Sequence, residues 1–186
     1  MAQLTIDHEE ILTGEELFDL GDIGPCELID GRIVYMSPTG GEHARLEIRL
    51  GVELELFVRQ RKSGWVLVGE VGIYTQRAPD RIRGADVAFI SRERLPDGPG
   101  SGFLDVAPEL VVEIMSPTDR WQDVRQKIEE YFAADVTWIW VVEPDNLTVL
   151  VYDSSTEARK FSEGEHILGE GVLEGFSLDV TELFAG

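Results

Sequence analysis

The sequence predicts a mixed α/β fold, a β-sheet with helices packed against it. Three observations carry that expectation: apolar residues recur at helical spacing from His43 to Lys62, a second helical stripe runs through Val124, Ile128, Tyr131 and Phe132, and short β-branched or aromatic runs lie between and after them. The 186 residues suit one domain, since a chain near this length buries roughly 70% of its unfolded surface. A single domain over 1–186 is therefore expected, its core in about 40–153, preceded by a helix and a hairpin.

The elements follow in order. Thr13-Gly-Glu-Glu16 is a capping box, in which the Thr13 hydroxyl and the Glu16 carboxylate satisfy free backbone amides reciprocally, and its helix is expected to reach about Leu20. In CELIDGRIVYMSP the apolar pairs Leu28-Ile29 and Ile33-Val34 flank Asp30-Gly31, a dipeptide that accepts the positive φ of a two-residue hairpin turn. Leu46, Leu50, Leu54, Phe57 and Val58 form one stripe of the long helix. WVLVGEVGIYT predicts two strand-like runs bent at Gly69 to Gly72, and DVAFI predicts a strand that Asp86 opens. Ser91 to Gly102, with its Pro and Gly, reads as a surface loop.

ELVVEIM is the next strand, with Glu109, Val111, Glu113 and Met115 on one face. Ser116-Pro117-Thr118-Asp119 ends it and starts a helix to about Ala134, with Thr118 or Asp119 as N-cap. TWIWVVEP and TVLVYD predict two further strands, and LEGFSLDVTELF a short closing helix.

Composition excludes several classes. With 43% hydrophobic and 28% charged residues the chain is neither disordered nor fibrous. The acidic N-terminus lacks the order of a signal peptide and no apolar run approaches a membrane span of about 20 residues, so a cytoplasmic protein without membrane contact is expected. A single cysteine, Cys26, excludes an internal disulfide and reads as a small half-buried hydrophobe.

The net charge of −20 argues against a nucleic-acid partner, but its distribution weakens that objection. Residues 40–127 hold 13 of the 16 Lys and Arg against 14 Asp and Glu, so the acidity belongs to the two ends. Arg77, Arg81, Arg83, Arg92 and Arg94 cluster around the Asp86 strand, and Arg120 and Arg125 accompany Lys127. They are either a basic rim able to contact DNA phosphates or a solvated face with scattered ion pairs.

Three side chains stand out chemically. Asp86 and Glu113 lie in apolar strand runs, where a carboxylate is costly unless a cation or a hydrogen-bond network compensates it. If their strands are neighbours the two converge, and converging carboxylates without a His or Cys cluster favour a hard cation such as Mg²⁺. Asp86 also reads as a strand-end cap, and Glu113 as half of a buried ion pair. Lys127 is either a surface partner of Asp123 or, with a lowered pKa, a group that orients and helps deprotonate an attacking water. His43 opens the long helix, where a histidine caps, binds phosphate or acts as a base, and Glu47 lies one turn further on. His8 and His166 read as solvated.

The blocks CELIDGRIVYMSP, GEHARLEIRL, RIRGADVAFI, PELVVEIMSPTDRWQDVRQKIEEYFAADVTWIWVVEP and LEGFSLDVTELF resemble, as a set, the Uma2 family of the PD-(D/E)XK nuclease superfamily, from about Thr13 to Phe184. The resemblance implies a restriction-endonuclease-like mixed sheet flanked by helices, with Asp86 as metal-binding aspartate and Glu113 as second acidic ligand beside a backbone carbonyl near Ile114. Lys127 would be the superfamily lysine moved onto the helix, since Met115 holds its usual strand position. Ala85 replaces the proline of the usual Pro-Asp pair, and His43 matches a histidine that opens the long helix in this family. A Mg²⁺-dependent DNA endonuclease is implied, with Mn²⁺ as substitute and no organic cofactor; Arg83, Arg120 and Arg125 would contact DNA, and paired cutting would favour a homodimer. A nuclease-fold module that binds nucleic acid or protein without cutting is the alternative.

Overall fold

The first helix, α1, spans Gly14–Asp19 and begins as its capping box requires: the Thr13 hydroxyl accepts from the Glu16 amide at 3.2 Å, and the Glu16 carboxylate accepts from the Thr13 amide at 2.8 Å. The computed structural model describes residues 11–186, so His8 lies outside the described residues. β1 (Cys26–Ile29) and β2 (Arg32–Tyr35) pair antiparallel around Asp30 and Gly31, whose φ values of 52° and 77° are those a two-residue turn of this hand needs.

α2 (Gly41–Arg61) buries Leu46, Leu50, Leu54 and Val58 against Val87, Phe89, Leu110 and Val112. Each such side chain contributes about 1.5–3 kcal/mol relative to exposure. β3 (Gly64–Gln76) pairs along the whole of β4 (Arg81–Ser91), and β5 (Leu110–Ile114) follows. α3 (Trp121–Ala133) crosses over to β6 (Trp138–Glu143), which pairs parallel with β5 as such a connection allows. β7 (Thr148–Tyr152) and β8 (Ala158–Phe161) extend the sheet antiparallel. β9 (His166–Leu168) and β10 (Ser177–Asp179) form a separate two-stranded sheet before α4 (Val180–Phe184), which Asp179 caps.

The main sheet has the order β2-β1-β4-β5-β6-β7-β8, with β3 also on β4. α2 packs with Val87, Phe89 and Val112, and α3 packs with Ala88, Val111, Ile139 and Val141, so the two helices cover opposite faces. Among the described residues no helix is long and apolar enough to cross a membrane.

Three local expectations are corrected. WVLVGEVGIYT is one strand interrupted by a bulge, because β4 continues past the bend and re-pairs with Val71 beyond it. β4 begins at Arg81, so Asp86 is an interior residue of its strand and not the one that opens it. Arg120, not Thr118 or Asp119, is the N-cap residue of α3; the Asp119 carboxylate accepts instead from the Ser116 amide at 2.8 Å and closes the preceding turn.

Candidate metal centre

β4 meets two different neighbours along one edge. Leu28 of β1 registers with Ile82, whereas Val112, Val111 and Leu110 of β5 register with Val87, Ala88 and Phe89, leaving a fork between them. Backbone groups that lose a strand partner must find another. The Gly84 amide donates to Glu27 Oε1 at 3.1 Å, and its carbonyl accepts from Lys127 Nζ at 3.2 Å and from the Tyr131 hydroxyl at 3.4 Å.

A row of carboxylates crosses three strands beside the fork. On the β3 side Val68 registers with Val87 and Val71 with Ala85, so Gly69 and Glu70 together oppose Asp86. One step beyond the last β4–β5 pair places Glu113 opposite Asp86. Glu70 has a φ of 56°, a left-handed conformation that costs a non-glycine residue of order 1 kcal/mol. The bulge turns its carboxylate over Gly84, where an added Cβ would lie 2.8 Å from Glu70 Oε2.

Asp86 is 4% exposed and fully engaged: Oδ1 lies 2.8 Å from His43 Nε2, and Oδ2 accepts from the Ile114 amide at 2.6 Å. His43 reaches it from the first turn of α2, with Nδ1 3.2 Å from Ser116 Oγ. Ligand atoms of His43, Glu70 and Asp86 all lie within 4.8 Å of one another. Glu113 Oε2 accepts from Lys127 Nζ at 2.9 Å and Oε1 from the Tyr131 hydroxyl at 2.7 Å. Each carboxylate oxygen has a second lone pair, so both of these contacts are compatible with metal coordination. The carboxylates form an oxygen donor set that fits a hard divalent cation, and the imidazole, with Nε2 on Asp86, orients the aspartate.

The charges divide into two groups. Arg83, 8% exposed, donates from Nε to Glu130 at 2.5 Å and from Nη1 to Glu27 at 2.7 Å, and Lys127 Nζ lies 3.1 Å from Glu27. Burial pushes Glu27 upward, but Lys127 and Arg83 outweigh it and hold its pKa below the usual value. Glu70 and Glu47 go the other way, raised first by burial and then by the Asp86 charge. Glu113 is raised to about 7 by burial, against the pull of Lys127 and with a further push from Asp86. Burial works to lower the pKa of His43, but the Asp86 hydrogen bond and charge prevail and raise it.

Lys127 requires a correction. Burial disfavours its charge, yet Glu113 and Glu27 raise its pKa well above the ordinary lysine value instead of lowering it. It is an ammonium that can donate and attract, not a base that accepts the proton of water. Among the described residues no hydrogen bond or ion pair joins it to Asp123; its partners are Glu27, Glu113 and the Gly84 carbonyl.

The fold gathers His43 and the Ile114 amide on Asp86 and Lys127 on Glu113, on neighbouring strands, and among the described residues the ligand atoms that converge within 4.8 Å are those of His43, Glu70 and Asp86. Arg83 is adjacent but enclosed between Glu27 and Glu130, with no free face for a phosphate. The expected basic rim is largely neutralised: Arg77 pairs with Glu15, Asp80 and Asp105, Arg81 with Asp30 and Glu130, and Arg94 donates to the Ala107, Pro108 and Asp135 carbonyls. Arg120 and Arg125 stay exposed at the start of α3, and Arg92 lies over the Trp65 ring at 4.3 Å. Sequence reasoning missed Glu70, Glu27 and the polar role of Tyr131. An acid between two glycines in a strand-like run was the available signal for Glu70.

The family model of Uma2, described as "Putative restriction endonuclease", matches residues 15–181. A crystal structure of "a putative nuclease belonging to DUF820 from Anabaena variabilis ATCC 29413" superposes with a TM-score of 0.79 at 21% identity, covering 93% of this chain and 97% of that one. At that identity the likeness is one of fold. No match was found among the curated proteins. A family model that spans nearly the whole chain, joined to the same mixed sheet flanked by helices, places it: this chain belongs to the Uma2 family.

Proposed function

We propose that this chain is a Mg²⁺-dependent endonuclease that hydrolyses phosphodiester bonds in DNA. The observation that carries the reading is the row Glu70, Asp86 and Glu113 across three adjacent strands, with the Lys127 ammonium 2.9 Å from Glu113. Asp86 and Glu113 would hold the cation with the Ile114 carbonyl, and Glu70 would complete the acidic side. Bound there, the cation supplies positive charge for the developing oxyanion and lowers the pKa of its water.

The chain's own groups do the positioning. His43 and the Ile114 amide fix both oxygens of Asp86, Tyr131 fixes Glu113, and Glu27 with the Gly84 carbonyl aims the Lys127 ammonium. From that position Lys127 donates to the attacking water or to the phosphate, a preorganised charge of the kind that stabilises such a transition state. Water oxygen bonds to phosphorus as the bond to the 3′ oxygen breaks, the attacking water gives a proton to solvent and the 3′ oxygen takes one from solvent, leaving a 3′-hydroxyl and a 5′-phosphate. Arg120 and Arg125 would contact flanking phosphates, and two copies would cut both strands of a duplex. An oxygen donor set of carboxylates and a carbonyl suits Mn²⁺ as it suits Mg²⁺, so Mn²⁺ is expected to substitute.

The test is cleavage of plasmid, linear duplex and single-stranded DNA by purified protein with Mg²⁺ or Mn²⁺. Cutting that requires the metal and falls about 10³-fold in Asp86→Asn supports the proposal. Absence of cutting on every DNA form, with Glu113→Ala and Lys127→Ala equally silent, contradicts it.

A further inference from the structure

A cavity of about 510 Å³ opens directly beside the carboxylate row. Its apolar walls come from Leu17 and Phe18 of α1, from Ile23 and Pro25 of the following loop, and from Ile82 and Phe103. That volume falls within the range of pockets that enclose organic ligands, and the chemistry assigned above to the carboxylate row does not use it.

Two features say what shape it accepts. Gly72 and Gly84 line the cavity and are register partners on β3 and β4, and the lack of a side chain lets Phe103 pack over the first and the Glu70 carboxylate over the second. Glycine inside a strand weakens it and marks a close approach by another group. Phe103 lies over Gly72, where a Cβ would sit 2.2 Å from its ring. The ring is braced edge-on by Phe18 at 5.7 Å and by Tyr74 at 6.3 Å between centroids, and so forms a fixed aromatic wall. An aromatic ring bounds the cavity at Gly72 and a carboxylate bounds it at Gly84, a setting suited to a planar ring that carries polar edge groups.

The third feature says what that ring is attached to. Glu70 lines the cavity and also belongs to the cluster with His43 and Asp86, and Gly84 lines it while its carbonyl accepts from Lys127. A ligand with its planar part in the cavity therefore holds its charged part at the carboxylate row. Nucleotides are built this way, with a base joined through a sugar to a phosphate. The acidic side chains lining the cavity, Asp22 and Glu70, are acceptors suited to the amino groups of a base edge.

We infer that this cavity binds an unpaired nucleobase next to the scissile phosphate, so that the preferred substrate is DNA with an extrahelical or single-stranded base at the cut. The inference rests on the nuclease reading. A stacked, paired base cannot enter such a cavity, and an unpaired one enters without the cost of unpairing.

The experiment measures equilibrium binding, without added metal, to three labelled duplexes that differ at one position: a paired base, an unpaired extra base, or an abasic residue. The expected result is about ten-fold tighter binding of the unpaired base than of the abasic residue, reduced to about two-fold in Phe103→Ala and in Phe18→Ala. Phe18 is 44% exposed, so its removal leaves the fold intact if loss of Phe103 does not. Equal binding of the unpaired-base and abasic duplexes by the native protein, or a preference unchanged in both variants, overturns the inference and leaves the cavity to an apolar group of other origin. Metal-dependent cleavage of the same duplexes would then still stand. Failure of the folded protein to bind any of the three overturns the inference alone, and metal-dependent cleavage of the same duplexes decides the nuclease reading separately.

Discussion

The two sides of the β4 fork are built from the same residue types and reach opposite electrostatic results. On one side Glu27 and Glu130 enclose Arg83, and Glu130 also meets Arg81, so each buried acid has a cation within hydrogen-bond distance. On the other side Asp86, Glu70 and Glu47 lie around the His43 imidazole, and Glu70 also feels the Lys127 ammonium. The pKa directions follow: Glu27 is held below its ordinary value, and Glu70 and Glu47 are lifted above theirs. The fold supplies arginine to one set of carboxylates and leaves the neighbouring set short of positive charge. Lys127 bridges them, with Glu27 on one hand and Glu113 on the other.

The largest expected effect breaks the balanced side. Arg83→Met leaves Glu27 and Glu130 buried without their shared partner and should lower stability by about 3–5 kcal/mol, read by urea denaturation. A loss under about 1 kcal/mol would mean that water or Arg81 already compensates these acids. Next, Lys127→Met should reduce single-turnover cleavage about 10²- to 10³-fold while metal binding persists, because it removes a positioned charge and not a ligand. Loss of metal binding in the same variant would instead make Lys127 a support for Glu113.

Smaller effects sharpen the deficient side. Glu70→Gln should leave the metal-free protein as stable or up to about 1 kcal/mol more stable, since it relieves repulsion with Asp86 on a side chain that packs over Gly84 yet keeps contact with solvent, and it should weaken metal binding. Thermal unfolding with and without Mg²⁺ separates the two results, because a cation at a hundred times its Kd should add about 2.7 kcal/mol to the native protein. The smallest effect is a pH slope. The folded-state pKa of His43 lies above its ordinary value of 6.5, so the His43–Asp86 pair contributes stability that is complete below pH 6.5 and disappears as pH rises through the raised value. Metal-free His43→Gln should lack that part of the slope.

Much of the fold was legible in the sequence because its signals are local. The capping box at Thr13, the Asp30-Gly31 turn and the stripe Leu46, Leu50, Leu54 and Val58 each depend on residues a few positions apart. The site was legible only for acids inside apolar runs, where Asp86 and Glu113 stand out. Glu70 was hidden because its role comes from a bulge, and a bulge is a relation between two strands. Glu27 reads as an ordinary hairpin residue until Arg83 stands across from it. Tyr131 fits an apolar stripe, and only its hydroxyl reveals that it also fixes Glu113. Lys127 was seen, but its electrostatics were reversed, because two acids distant in sequence enclose it.

The central claim is that the side short of charge takes a divalent cation, and isothermal titration of Mn²⁺ and Mg²⁺ into the native protein and into Asp86→Asn tests it most directly. The account predicts one site per chain in the native protein, lost or weakened about 100-fold or more in the variant. Absence of binding at millimolar metal, or binding that Asp86→Asn leaves unchanged, would contradict it.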